Sequence, residues 1–186
     1  ESIHQELERL ESITEEYLRL ARLPEPSLTP ENPAHLLREL AEFVQREMVA
    51  ASVELRLDIA PQLPAVAMDE PQLRQALLNL LRNAREAMPD GGTAKLEATR
   101  YENGVRIQVQ DEGAGIDDEE REHVFDLFYT TKERGTGLGL PLTQQIVVAH
   151  GGHIACKPRH PQGTTFEIWL PAAAHATTGS PVRRVG

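Results

Sequence analysis

Two asparagines four positions apart lie in the run Asn79-Leu80-Leu81-Arg82-Asn83-Ala84. On a helix both carboxamides fall on one side. An amide oxygen is a neutral, hard ligand, suited to a Mg²⁺ that also takes phosphate oxygens and waters. A pair of helix-surface asparagines has the same spacing. A second cluster, Asp111-Glu112-Gly113-Ala114-Gly115-Ile116, directly follows the alternating Val105, Ile107 and Val109. A carboxylate at a strand end can accept a hydrogen bond from an exocyclic amine, which tells adenine from guanine, and neighbouring glycines let backbone approach a flat ring. An ordinary turn also reads this way. A third, Gly135-Thr136-Gly137-Leu138-Gly139-Leu140, leads into apolar residues of helical period. Closely spaced glycines before a helix present N–H groups and the positive end of the macrodipole to an anion, although a hinge would look alike. The cluster matches neither the P-loop nor the dinucleotide fingerprint. The fourth is Gly163-Thr164-Thr165-Phe166. By alternation Thr164 shares the inward face with Phe166, Ile168 and Leu170, so its hydroxyl needs a buried partner.

These residues need elements to hold them. Val53, Leu55, Leu57 and Ile59 alternate with Glu54, Arg56 and Asp58, the pattern of a half-buried strand. Leu36, Leu37, Leu40, Phe43, Val44 and Met48 mark a helix before it. Asp69 and Pro71 open another helix, with Leu73, Ala76, Leu77, Leu80, Ala84 and Ala87 on one side, and Pro89-Asp90-Gly91-Gly92 ends it. Strands at 93–101 and 105–110 flank Asn103-Gly104, which predicts a type I′ hairpin. A short acidic helix near 117–124, a helix over 139–150 ending at Gly151-Gly152, and strands near 153–157 and 164–170 complete the domain. The interspersed order suggests one mixed or antiparallel sheet covered by helices on a single face.

Residues 1–23 carry Ile3, Leu7, Leu10, Thr14, Tyr17 and Ala21 at alternating steps of four and three, a bundle or coiled-coil seam. An amphipathic helix lying on its own domain has the same pattern. Pro24, Pro26, Pro30 and Pro33 make 24–34 a linker. Residues 172–186 lack periodicity and read as a loose tail. The 186 residues suit one domain plus an appendage. A net charge of −10 argues against a nucleic-acid surface. No apolar run approaches the ~18 residues of a membrane helix. Cys156 is the only cysteine, so no internal disulfide or Cys-based zinc cluster can form, which fits a reducing, cytosolic setting. The chain opens on Glu1 rather than Met, which reads as a piece of something longer.

In order and spacing, the four clusters and the run Phe125-Asp126-Leu127-Phe128-Tyr129-Thr130-Thr131-Lys132 together resemble the catalytic, ATP-binding domain of sensor histidine kinases, within the GHKL ATPase superfamily. The match covers roughly 35–170, within an expected ATP-binding catalytic domain over 35–171: an N box at Asn79 and Asn83, a G1 box at 111–116, an F box at 125–132, a G2 box at 135–140 and a G3-like Gly163-Thr164. The resemblance implies an α+β, two-layer α/β sandwich with a mixed sheet, preceded by a coiled-coil-like helix. It implies ATP or ADP and Mg²⁺ as cofactors. Asn83 would bind the metal, Asp111 the adenine amine, and Gly113, Gly115 and Ile116 would line the base. Phe125 and Phe128 would anchor an ATP lid, with Gly135, Thr136, Gly137, Leu138, Gly139 and Leu140 around the phosphates and Thr164 at the G3 position. Lys132 is a candidate phosphate contact or a solvated lid lysine. Asn79 holds the position where water-activating relatives carry a glutamate, which favours transfer to a protein nucleophile over hydrolysis.

The sequence departs from the family in two places. Glu86 stands three after Asn83, where many members carry a basic residue, and Arg82 or Arg85 could compensate. The family's phosphoacceptor histidine precedes an acidic residue, and none of the seven histidines here does; all read as surface or helix-end residues. Residues 1–23 then resemble the second helix of the dimerisation and phosphoacceptor hairpin. The expected partners are a response regulator and a second copy of the chain in the full-length protein, which is cytosolic or membrane-tethered. The alternatives are a GHKL serine kinase of anti-sigma type and a catalytically silent nucleotide-binding scaffold.

Overall fold

The computed structural model describes residues 14, 17, 18, 21–132 and 135–173. Thr14, Tyr17, Leu18 and Ala21 are helical, and the remainder of the expected seam falls outside the described residues. The elements that follow are β1 (Thr29–Glu31), α1 (Pro33–Ala50), β2 (Val53–Ile59), β3 (Val66–Met68), α2 (Glu70–Glu86), β4 (Gly92–Tyr101) and β5 (Gly104–Gln110). Then come α3 (Asp118–His123), α4 (Gly139–Ala149), β6 (His153–Pro158) and β7 (Thr164–Pro171).

Five strands form one sheet in the order β2-β4-β5-β7-β6. β2 and β4 run parallel, and every other pair is antiparallel, so the sheet is mixed. Parallel pairing needs a long crossover, which α2 supplies between β2 and β4. Alternation then sorts the faces. Ala94, Leu96 and Ala98 of β4 and Val105, Ile107 and Val109 of β5 are buried against Leu36, Leu37 and Leu40 of α1 and Leu73, Leu77 and Leu80 of α2. The intervening Thr93, Lys95, Glu97, Arg106 and Gln108 are half-buried on the other face. This is a two-layer α+β sandwich, as expected.

The helix starts follow their sequence signals. Asn32 caps α1 by accepting from the Ala34 N–H at 2.9 Å, with Pro33 in the first turn. Asp69 Oδ1 caps α2 through the Gln72 N–H at 3.1 Å, while Oδ2 accepts from the Ser27 N–H at 2.9 Å.

Several expectations need correction. The stretch expected as linker contains β1, which pairs antiparallel with β3. Three residues are too few for a period-two signal, and β1 also carries Pro30, so neither strand is visible in the sequence. Phe43 is 62% exposed and lies off the core face of α1. The β4–β5 hairpin exists, but its loop is Glu102-Asn103, with Glu102 at φ 51° and Gly104 already paired with Tyr101. Gly104 is needed instead for close approach, because a Cβ there would collide with the Leu170 carbonyl. At the C-terminal end, the Ala172 and Ala173 N–H groups bond Asn103 O at 2.9 Å and Ala65 O at 2.8 Å, so the first two residues of the expected tail are tied down. The rest of that tail lies outside the described residues.

Candidate functional site

β5 delivers Asp111 to the edge of the helix layer, where it is 3% exposed. Its Oδ1 accepts two backbone donors, the Gly113 N–H at 2.9 Å and the Thr164 N–H at 3.2 Å. The Asp111 N–H in turn donates to Thr164 O at 2.9 Å. Both backbone donors use one oxygen, which leaves Oδ2 with neither of them. Burial pushes the Asp111 carboxyl above the ordinary carboxylate value, and the Gly113 and Thr164 N–H groups, Arg159 and Lys132 oppose that shift. Thr164 therefore meets Asp111 through its backbone.

The loop beyond Asp111 is braced on both sides. The Ala114 N–H reaches Ala87 O at 3.3 Å, and Gly113 lies so close to Ala87 that a Cβ would stand 2.7 Å from the Ala87 Cβ. Arg159, on the β6–β7 hairpin, donates to Asp111 O at 2.9 Å and pairs with Glu112 at 3.1 Å. Nothing in the sequence flagged Arg159, since a lone arginine 48 residues away has no pattern. Gly115, Ile116 and Gly163 line a shallow groove between this loop and the hairpin.

α2 carries the two asparagines, and they face different neighbours. Asn79 Nδ2 donates to Thr143 Oγ1 at 2.9 Å, and Thr143 donates on to Gly139 O at 2.9 Å. A Cβ on Gly139 would sit 2.5 Å from Asn79 Oδ1, so the start of α4 rests directly on this carboxamide. Thr143 is buried and was also missed, because a threonine inside a helical pattern carries no separate signal. One turn on, Asn83 Oδ1 accepts from Lys132 Nζ at 3.0 Å, and the same ammonium pairs with Glu86 Oε2 at 2.5 Å. Arg82 and Arg85 both turn towards α1, and Arg85 also lies 3.8 Å from Glu86. They reach Glu47 on α1 at 4.0 and 3.0 Å.

The segment between α3 and α4 divides its two phenylalanines. Phe125 packs against the core, edge-on to Phe166 at 6.4 Å. Phe128 is 54% exposed, so its ring is not a core anchor. Its backbone holds instead, with its N–H on Gly137 O at 3.0 Å and φ at 65°. Gly137, at φ 69°, passes so near the Phe128 backbone that no side chain fits. The Phe128 ring stacks on Tyr17 of the N-terminal helix at 6.2 Å. Gly135 donates to Lys132 O at 3.0 Å, and Thr136 Oγ1 accepts from the Leu138 N–H at 3.4 Å. Leu138 is buried and Leu140 packs on the core.

The arrangement thus joins a buried carboxylate with a free oxygen, an amide oxygen beside a lysine and a carboxylate, and a glycine-rich turn at the start of α4. The donor set suits a hard divalent cation with a phosphate, since Asn83 and Glu86 already enclose one cation, the Lys132 ammonium. Among the described residues no group of three His, Cys, Asp or Glu side chains could hold a metal by itself.

The family model for histidine kinase-, DNA gyrase B- and HSP90-like ATPases matches residues 68–174, and the chain belongs to that family. Sporulation kinase E of Bacillus subtilis is 34% identical over 175 residues, which are 94% of this chain and 24% of the relative. The crystal structure of full-length ShkA in complex with AMPPNP aligns with a TM-score of 0.78 at 32% identity, over 89% of this chain and 37% of that one. Histidine kinase ThkA, solved with the response regulator TrrA, aligns at 0.76 and 28% identity, over 92% and 49%. The chain spans about a quarter of the length of the first curated relatives it matches.

Proposed function

We propose that this chain is the ATP-binding catalytic core of a two-component sensor histidine kinase, which transfers the γ-phosphoryl group of ATP to a histidine on a dimerisation domain. One observation carries the reading. Asp111 is buried and aligned by two backbone donors on one oxygen, so the other is free to take the adenine amine. Gly113, Gly115 and Ile116 would line the base. Gly135, Thr136, Gly137, Leu138, Gly139 and Leu140 would fold over the phosphates, with Lys132 facing them, and Thr164 fixes Asp111. Asn83 would hold Mg²⁺, which neutralises charge on the phosphates when bound.

Asn79 offers no carboxylate to deprotonate water, and its amide is committed to Thr143. That supports transfer to a protein acceptor over hydrolysis. The acceptor histidine would lie on another segment, residues 1–23 would form part of a dimerising hairpin in a cytoplasmic protein, and a response regulator would take the phosphoryl group onward. Isothermal titration with Mg-ADP tests the nucleotide step; no heat would end the reading. Supplying a hairpin with an acceptor histidine in trans, with radiolabelled ATP, tests the transfer. Label on histidine is expected. Label on serine would favour an anti-sigma type of kinase, and binding without label a silent scaffold.

A further inference from the structure

Lys132 meets α2 across 46 to 49 residues of sequence, and it does so at the oxygen with most to do elsewhere. Asn83 Oδ1 accepts from its ammonium at 3.0 Å, and Glu86 pairs with the same nitrogen at 2.5 Å. A short turn presents the lysine: its own N–H bonds Thr130 Oγ1 at 3.1 Å and its carbonyl accepts from Gly135 at 3.0 Å. Both ends of the pair are nearly half exposed, so rearrangement costs little burial.

We propose that Lys132 is a built-in counter-cation that competes with Mg²⁺ for Asn83 Oδ1, and that Glu86 sets how firmly the lysine is held. The inference rests on the nucleotide reading above. One amide oxygen cannot serve an ammonium and a divalent cation at full strength together. With Mg²⁺ on Asn83, the lysine would be released from α2 towards the phosphates, and Glu86 would keep only Arg85, 3.8 Å away, as its cation. The cation that a basic residue at position 86 would have fixed on the helix is thereby mounted on the lid, and lid position becomes linked to metal occupancy.

The experiment measures ADP affinity by isothermal titration across a series of Mg²⁺ concentrations, together with amide exchange of residues 130–132 and 135–138 without nucleotide. Lys132→Met should lower the Mg²⁺ midpoint roughly threefold to fivefold, the scale of an exposed charge-assisted pair. Lys132→Met and Glu86→Gln should both speed lid exchange, and Lys132→Arg should keep the wild-type midpoint. A midpoint that stays or rises in Lys132→Met, or lid exchange that matches wild type in both variants, overturns the proposal. A wild-type protein that binds no ADP at any Mg²⁺ concentration overturns the nucleotide reading instead, and the exchange comparison still decides whether the lysine pins the lid.

Discussion

Asp111 separates what the fold needs from what a ligand needs. Its backbone partners, Gly113 and Thr164, both donate to Oδ1, and an amide oxygen in Asp111→Asn can accept them equally well. The other atom becomes an NH₂ that confronts the adenine amine with a second donor. ADP affinity should therefore fall by about 1–3 kcal/mol, or roughly 5- to 150-fold, in a calorimetric titration. The variant should keep its fold. Its stability also has a definite pH signature. Burial raises the Asp111 carboxyl in the folded chain, so stability from the protonated form is fully present below about pH 4 and lost as pH rises through the raised value. Asp111→Asn avoids that loss. In urea melts it should equal or exceed wild type at pH 7, with the gap closing as the pH approaches 4. The carboxylate was legible as a strand-end acid before glycines. Which oxygen stays free was not, because Thr164 arrives from 53 residues away.

α2 and α4 are the elements that turn separate motifs into one site. They meet through Asn79, Thr143 and Gly139, and again at His150, which is buried at the end of α4. His150 Nε2 accepts from the Asp69 N–H at 3.0 Å, and Nδ1 donates to Ile146 O at 2.7 Å. The end of one helix is thus tied to the cap of the other. Thr143→Val leaves the Asn79 amide without its acceptor and should cost about 1–3 kcal/mol in urea denaturation. Gly137→Ala puts a side chain into the Phe128 backbone at a positive φ, and it should weaken ADP binding at least severalfold with little change in Tm. Caps and periodicity made both helices readable from the sequence. His150 was expected at a helix end, but its role as a bridge between helices was not, since that role belongs to packing. Asn103-Gly104 points to a turn one residue later than the observed Glu102-Asn103 loop, because Gly104 serves to make room for β7.

At the scale of the molecule, the order of the boxes was the legible part: asparagines, strand-end acid, glycine turn, final strand. The fold brings them together in pairs: Asp111 with Thr164, Asn79 with the start of α4, and Asn83 with Lys132. What stayed hidden were meetings between distant segments, such as Lys132 with Glu86, Arg159 with Asp111, and Tyr17 with Phe128. A residue type shows what it could bind, and only the chain's path shows what it does meet. Mg-ADP should raise the thermal midpoint in proportion to the logarithm of its concentration over its dissociation constant, as any ligand of the folded form does. A melt unmoved by saturating Mg-ADP would count against the site as a whole.

Trp169, the single tryptophan, stacks on His153 at 5.3 Å on the sheet face opposite the helices. Five residue steps along β7, about 17 Å, separate it from Thr164. Its emission should therefore report the strands coming apart and respond little to a nucleotide entering beside Thr164, so one cuvette can monitor denaturation with ligand present.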